Sequence, residues 1–411
     1  MTRLDGQFKK LWTAATTSAL GSGLQLVATP LLIASRTSDP LIVSGASAVS
    51  WLPWLLFALP GGVLVDRVDR RRLMIALDSN RAALVFVLAT TIATGHVSIT
   101  LLYVVLFFIN TGEVIFRSAS QTMIQAVVPR ERLERANGWL MGGATVTQQM
   151  LAGPLGGFLF AVAVAIPFYV NAGTYVGSAI AISLVAGRFR ATPADTGQAR
   201  SFRRDISEGM RWLMGQRLLR TMALLIGLLN VTLTAALAVL VLLARERLHL
   251  GSVGYGVLFT CMAAGGLLGA VIGDRLIEKV TATWTVRLGL IIEALTHLTL
   301  AAATRAWIVG IALFAFGVHA SLWMIVAGSL RQRLTPPEML GRVTSATLFL
   351  GAGGNCLGAL LGGVVASRFG ITAPYWVGFV VAVGVSVATW RVFSRPVVAA
   401  AYADPTPTPD P

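Results

Sequence analysis

The sequence predicts an all-α membrane protein in which twelve transmembrane helices form two six-helix halves. Of its 411 residues, 55% are hydrophobic and only 12% are charged, whereas soluble proteins carry about 25% charged residues. The apolar residues gather into runs of about 20, the length that a helix needs to cross a bilayer. A motif of the first half returns in the second, which indicates an internal duplication.

The individual helices follow from apolar runs that end at charged residues or at Pro- and Gly-marked turns. Outer connections such as 94–97 and 369–371 are only a few residues long, so neighbouring helices must run antiparallel. An even number of helices returns both termini to the same side. The predicted helices lie at about 11–35, 42–65, 73–94, 98–119, 138–163, 166–188, 218–244, 252–274, 284–303, 306–329, 342–367 and 372–393.

One long polar break divides the chain into its predicted domains. Residues 189–217 form a basic linker between the halves 1–188 and 218–395. Part of this linker, 202–212, is amphipathic and suits the inner face of a membrane. The tail 396–411 alternates Pro with Thr and predicts disorder, because it has too little apolar surface to bury.

The duplication rests on two pairs of segments at nearly the same offset. The charged hinge 61–72 returns as 269–275, and 128–135 returns as 335–342, both about 208 residues later. Two matches at one spacing are hard to obtain by chance. The chain is therefore predicted to be two copies of one unit.

The basic residues orient the predicted helices. The net charge of +15 would suggest nucleic acid in a soluble protein, but here the arginines cluster at one set of helix ends. Basic residues in short loops stay on the cytoplasmic side. This predicts an inner-membrane protein with both termini cytoplasmic and no nucleic-acid partner.

The hinge resembles the signature between helices 2 and 3 of the major facilitator superfamily, Gly-x-Leu-Ala-Asp-Arg-x-Gly-Arg-Arg. Val65 and Asp69 depart from the pattern at an alanine and a glycine. The resemblance runs over the whole chain and is nearest to drug and siderophore exporters of the macrolide-efflux and enterobactin-exporter types. The residues that match it are Gly62, Leu64, Asp66, Arg67, Arg70 and Arg71.

The resemblance implies that this hinge takes part in gating. Asp66 is expected to cap or pair with the facing end of helix 11 when the inner gate is shut, because a carboxylate is stabilised at a helix N-terminus. With the repeat, the predicted gating residues are Gly62, Asp66, Arg67, Arg70, Arg71, Asp274 and Arg275.

Ionisable residues inside spans are functional candidates because they are costly to bury. Glu113 with Arg117, and Glu293 with His297, are spaced four apart and have a structural alternative as neutralising pairs. The resemblance implies that helices 1, 4, 7 and 10 line the cavity. It therefore favours Glu113 and His319 as proton-coupling groups and sets Glu293 aside.

Amide side chains on the predicted cavity helices are further substrate candidates. Their alternative role is hydrogen bonding between packed helices. They are Gln25, Asn110, Gln148, Asn230 and Asn355.

The fifth predicted helix contains a motif that resembles the exporter signature Gly-Pro-x-x-Gly-Gly. It is one residue short here, whereas the corresponding segment 358–363 has the full spacing. One residue turns a helix by about 100°, so we expect an altered bend. The motif residues are Gly153, Pro154, Gly156 and Gly157.

The sequence has no phosphate-binding Gly-x-x-x-x-Gly-Lys-Ser/Thr motif and no His-Glu-x-x-His helix. These absences disfavour ATP-driven transport and a membrane enzyme. We therefore expect a monomeric secondary exporter of amphiphilic small molecules, such as drugs, macrolides or siderophores, working by alternating access with proton antiport and no cofactor. The alternatives are an importer or lipid-moving protein of the same fold, or a receptor that does not transport.

Overall fold

Helices make up all the regular structure in the part of the chain that this computed structural model describes. That part is residues 6–58, 60–187, 189 and 202–394, without the side chains at 63, 66 and 202–205. The helices are α1 (Gly6–Arg36), α2 (Pro40–Phe57), α3 (Pro60–Arg67), α4 (Arg70–Ala93), α5 (Ile99–Val127), α6 (Leu133–Ala144), α7 (Ala152–Val162), α8 (Ile166–Ser183), α9 (Phe202–Gly215), α10 (Arg217–Ala238), α11 (Leu240–Glu246), α12 (Ser252–Val280), α13 (Ala282–Ala302), α14 (Ala306–Leu334), α15 (Pro337–Phe369) and α16 (Ala373–Thr389).

Nine helical stretches of the described residues are long and apolar enough to cross a membrane, counting α10 with α11 as one. The other three predicted spans fall on the broken helix from α6 to α7, on α8, and on the shorter apolar helix α16. The predicted all-α, multi-pass membrane class is confirmed.

Local sequence signals explain where several helices begin. The Asp39 carboxylate accepts a hydrogen bond from the Leu41 amide at 2.9 Å, and Pro40 occupies the first helical position of α2. Asp69 and Ser98 cap α4 and α5 in the same way. Short oxygen-bearing side chains are favoured at such positions because they satisfy amides that have no partner within the helix.

The two predicted hinges differ from expectation. Gly62 and Asp66 lie within helix α3, so the turn before α4 is only Val68 and Asp69. Asp274 and Arg275 are exposed and lie inside α12, which continues to Val280 because helix-forming residues follow them. The prediction that this second motif forms a turn is wrong. The chain turns instead at Thr281, whose φ is 71°.

The fifth predicted span is interrupted rather than simply bent. A π-helical segment, Thr145–Leu151, separates α6 from α7 just before Pro154. Such segments insert extra backbone into a helix and are frequent at functional sites.

The linker helix α9 packs against the protein. Glu208 forms an ion pair of 3.0 Å with Arg342 on α15, and Leu213 is buried with Val343 and Ala346. The amphipathic face predicted for the membrane surface therefore covers the start of α15. The tail 396–411, and most of the predicted linker before α9, lie outside the described residues.

The apolar core is shared at one end of the molecule and divided at the other. Near the turns at 37–39 and 370–372, one core joins residues from α1, α2, α4, α5 and α8 to residues from α10 through α16. Toward the basic ends, one core contains only residues 8–185, and two others contain only residues 213–393. The two groups of helices are thus packed together at the end opposite the basic turns.

Candidate functional site

A buried arginine on α4 is the centre of the most extensive polar cluster in the described residues. Arg81 is only 1% exposed. Its guanidinium contacts the Asp78 carboxylate at 3.0 Å and Oε2 of Glu113 on α5 at 2.5 Å. Hydrogen bonds to charged groups are short and about twice as strong as neutral ones, so this arginine ties α4 to α5.

Hydroxyl groups from α1 and α8 complete the arginine's surroundings. Arg81 donates to Ser18 at 3.1 Å and to Ser22 at 3.0 Å, both on α1. It also donates to the Tyr175 hydroxyl at 2.7 Å and lies 3.9 Å from the centre of that ring. One side chain therefore joins four helices.

Glu113 accepts hydrogen bonds on both carboxylate oxygens. Ser22 donates to Oε2 at 2.9 Å, and Nε of Arg117 donates to Oε1 at 2.7 Å. Arg117 also donates to Gln148 in the π-helical segment at 2.7 Å, and its guanidinium lies 5.5 Å from the Trp54 ring. The Arg117 side chain is 44% exposed, whereas Glu113 is buried.

The cluster is balanced in charge, with two carboxylates, Asp78 and Glu113, and two guanidinium groups, Arg81 and Arg117. Both carboxylates pair with a cation that stays protonated at all physiological pH values. The predicted Glu113–Arg117 pair is present, but Arg81 binds the other oxygen of the same carboxylate. Separating Arg117 alone would therefore leave Glu113 paired.

A second polar cluster lies between α13 and α14 and is called the histidine triad here: Glu293, His297 and His319. Nε2 of His297 lies 3.5 Å from Oε1 of Glu293, and Nε2 of His319 lies 3.8 Å from Oε2. All three residues are at most 5% exposed. The sequence favours His319 over Glu293 as a functional residue, and the structure brings the two together.

The amide candidates mostly bridge neighbouring helices. Asn171 on α8 donates to Gln25 at 3.4 Å, and Thr234 donates to Asn355 at 2.8 Å. Asn230 donates to the Gly351 carbonyl at 3.4 Å, and Asn110 to the Leu106 carbonyl of its own helix at 2.8 Å. The packing alternative fits Gln25, Asn230 and Asn355, whereas Asn110 bonds within its own helix and Gln148 belongs to the arginine-centred cluster.

The exporter-like motif lies where α7 meets α12. Proline has no amide, so Pro154 leaves the Met150 carbonyl without its helical partner. Thr260 of α12 donates to that carbonyl at 3.2 Å. A Cβ at Gly153 would lie 2.5 Å from the Gly256 carbonyl oxygen, so the two backbones touch. Gly156 faces Leu24 of α1, and Gly157 faces Ser252 of α12.

The first hinge is anchored by backbone contacts. Nε of Arg71 donates to the Ile182 carbonyl at 3.3 Å, and its Nη2 donates to the Ser183 carbonyl. The Arg70 amide donates to Phe189 at 3.2 Å. The predicted role of Asp66 concerns a carboxylate outside the described part of the chain.

A family described as transmembrane secretion effector, one of the major facilitator families, matches residues 4–409. The chain belongs to the major facilitator superfamily. It is similar to the uncharacterised transporter YkuC of Bacillus subtilis, with 26% identity over 82% of this chain and 80% of that protein. It also resembles the multidrug efflux pump Tap of Mycobacterium tuberculosis, with 26% identity over 88% of this chain and 87% of that protein. The enterobactin exporter EntS of Escherichia coli is 25% identical over 90% of this chain and 88% of its own length.

Solved structures show the same fold. The nucleoside transporter NupG covers 98% of this chain and 100% of its own, with 11% identity and a TM-score of 0.76. A bacterial homologue of the iron transporter ferroportin, in an inward-facing state, covers 96% and 100% with 15% identity and a TM-score of 0.75. Together with the family match over residues 4–409, this makes the chain a major facilitator transporter rather than an enzyme.

Sequence reasoning about this transporter missed Asp78, Arg81 and Tyr175. Asp78 and Arg81 lie three apart inside the predicted span 73–94, and that spacing was a usable signal because it places them on one helical face. Tyr175 had no such signal, because its role depends on α8 packing beside α4.

Proposed function

We propose that this transporter exports amphiphilic small molecules by alternating access, in exchange for protons. Twelve spans in two six-helix halves, 1–188 and 218–395, rock about a midplane site in the cytoplasmic membrane, with the linker 189–217 and both termini in the cytoplasm. The named efflux function of Tap and EntS supports export.

The observation that carries this proposal is the uneven packing of the core. A shared core at one end and separate cores at the other fit a state that is open toward the basic turns. Basic turns face the cytoplasm, so this state is open inward. Rocking the two groups of helices would close that end and open the other.

Arg117 is well placed to meet a substrate in this arrangement. It contacts Trp54 of α2 and Gln148 beside α7. Both of those helices touch the second group: Cys356 of α15 approaches the Ala48 carbonyl of α2, and α7 meets α12. The half-exposed Arg117 therefore faces the space between the groups, with Glu113 behind it.

Everted membrane vesicles test the proposal directly. We expect ethidium or radiolabelled erythromycin to accumulate inside them when respiration acidifies the lumen, and to leave when an uncoupler removes the pH gradient. Accumulation in right-side-out vesicles instead would indicate import. Saturable binding of these probes without accumulation in either preparation would indicate a receptor.

Cysteine labelling tests the orientation on which the direction of transport depends. Asp39→Cys should react with an impermeant maleimide added to whole cells, and Glu131→Cys should react only after permeabilisation. The reverse pattern would reject the inward-open assignment.

A further inference from the structure

The histidine triad has a charge imbalance that the arginine-centred cluster lacks. No lysine or arginine pairs with Glu293 among the described residues, and its charged-group neighbours are the two histidines. A buried carboxylate without a cation is costly, and proteins avoid this state by pairing it or by binding a proton.

The geometry of the triad leaves room for that proton. Both imidazole-to-carboxylate distances, 3.5 and 3.8 Å, are longer than a hydrogen bond. Neither nitrogen of His297 has a hydrogen-bond partner in the described part of the protein, and the same holds for Oε1 of Glu293. Histidine is the side chain whose charge ordinarily changes between pH 5 and 8.

The packing around the triad supplies no competing charge. Gly289 of α13 lies against the His319 ring, and Gly378 of α16 lies against the His297 ring. From α14, Phe316 stacks edge-on with His319 at 6.1 Å. Thr296 is committed to the Ile292 carbonyl at 2.8 Å.

Other titratable groups on the packed helices are distant along their helices or uncharged. Tyr375 of α16, a buried phenol, lies one turn from Gly378. Arg287 of α13 donates to the Trp390 carbonyl at 2.6 Å. The remaining ionisable groups of α10, α12 and α14 are the buried phenol Tyr255, the thiol Cys261 and charges toward the predicted cytoplasmic ends, namely Arg217, Arg220, Asp274, Arg275, Glu278, Lys279, Arg331 and Arg333.

We propose that the histidine triad, and not Glu113, binds the proton that this transporter exchanges for its substrate. One proton on an imidazole nitrogen creates a cation beside Glu293 and an N–H donor aimed at its carboxylate, which makes the buried set neutral. Loss of that proton restores the unpaired carboxylate. Because His319 is on α14 and Glu293 is on α13, a proton on His319 increases the attraction between these two helices.

This assignment rests on the proposed proton exchange, and it moves the coupling role away from the residue that the sequence favoured. Glu113 keeps two guanidinium partners, so protonating it would leave two cations with one carboxylate. Protonating the triad removes an imbalance instead of creating one. The cost of burying charge therefore favours the triad as the site of proton uptake.

Nitrogen-15 magic-angle-spinning NMR in lipid bilayers tests proton binding without any substrate. The chain has four histidines, and His96 and His249 are exposed in turns. In a His96→Gln, His249→Asn background, only the triad imidazoles contribute signals. We expect one imidazole to become protonated between pH 9 and 5. In Glu293→Gln the midpoint should fall by at least about one pH unit, a tenfold weaker proton affinity.

Matched variants separate this effect from a general disturbance of the helices. Thr296→Val changes a neighbour of the triad without altering its charge and should leave the titration unchanged. Glu113→Gln should also leave it unchanged. The proton site would be overturned if both imidazoles stay neutral over this pH range, or if the titration midpoint is the same in Glu293→Gln as in the unmodified background.

Vesicle transport tests whether the bound proton is the coupled one. Glu293→Gln should lose ethidium accumulation driven by the pH gradient and keep ethidium exchange between preloaded vesicles and medium. Gradient-driven accumulation that survives Glu293→Gln would overturn the coupling role. If the unmodified protein fails to accumulate ethidium and erythromycin, the proposed function is wrong, and the NMR titration decides the proton site independently.

Discussion

The arginine-centred cluster and the histidine triad occupy similar places but hold different chemistry. In the first, Arg81 of α4 packs on Gly112 of α5; in the second, His319 of α14 packs on Gly289 of α13. Arg81 and Gly289 are 208 residues apart, and Gly112 and His319 are 207 apart. These spacings match the predicted repeat, so Arg81 corresponds to Gly289 and Gly112 corresponds to His319. The large side chain is therefore on the first helix of the pair in one half and on the second helix of the pair in the other half.

The difference shows that the same packing arrangement, a large polar side chain against a glycine of the neighbouring helix, can hold either a permanent or a reversible charge. A guanidinium stays charged at physiological pH, so the first cluster is a permanent connection among four helices. An imidazole changes charge near neutral pH, so the second is suited to a reversible one. This contrast makes different predictions for substitutions in the two places.

The largest expected effect is the loss of the permanent connection. Arg81→Met leaves Asp78 and Glu113 buried without their central cation, which should destabilise the protein by about 3–5 kcal/mol. Thermal unfolding in detergent, followed by size-exclusion chromatography, measures this loss.

Two matched variants accompany Arg81→Met. Arg67→Met removes an exposed arginine at the end of α3 and should change stability little. Adding Asp78→Asn to Arg81→Met should recover part of the loss, because Asp78 has its ion pair with Arg81, whereas Glu113 keeps Arg117. A stable Arg81→Met protein would mean that the cluster does not hold the helices together.

The next largest loss of stability is expected from replacing the glycines at positions 289 and 112 by alanine. A methyl group at Gly289 would overlap the His319 ring, and overpacking of this kind costs about 1–3 kcal/mol. At Gly112 the corresponding Cβ would lie 2.8 Å from Cδ of Arg81, within a longer and more adaptable side chain. Gly289→Ala should therefore lower the unfolding temperature more than Gly112→Ala, and equal effects would contradict the comparison.

The smallest stability effect is expected at the exposed edge of the first cluster. Arg117→Gln removes a half-exposed ion pair, worth about 0–1 kcal/mol, while Glu113 keeps Arg81 and Ser22. Its unfolding temperature should stay close to that of the unmodified protein, and ethidium accumulation in vesicles should fall because Arg117 faces the transport path. Unchanged transport would remove Arg117 from the candidate site.

The parts of the fold that depend on local sequence were predictable. Apolar runs located the long helices, and i,i+4 spacing correctly paired Glu113 with Arg117 and brought Glu293 near His297, although at 3.5 Å these two are not hydrogen-bonded. Residue spacing within a helix does not reveal which helix lies beside it. Ser22, Tyr175 and the approach of His319 to Glu293 depend on that packing, so the sequence could not assign them.

Helix ends were less predictable for a different physical reason. Hydropathy falls at Asp274, but the backbone of α12 continues to Val280 because a helix may leave the apolar layer without ending. In contrast, the predicted segment 61–72 does contain the break before α4, although most of that segment is helical, and Asp69 caps the new helix there. A capping residue marks a helix boundary more directly than a charge does.

The contact between Gly153 and Gly256 implies that one added carbon atom, the Cβ of an alanine, could force α7 and α12 apart. A Cβ at Gly256 would overlap the Gly153 carbonyl, and backbone cannot move aside as a flexible side chain can. The overlap exists only while α7 and α12 are pressed together, so Gly256→Ala penalises this conformer alone. A ligand that binds one of two states more tightly shifts the population toward that state. In the same way, the added methyl group would enrich the conformer in which α7 and α12 are separated, with no drug or proton bound.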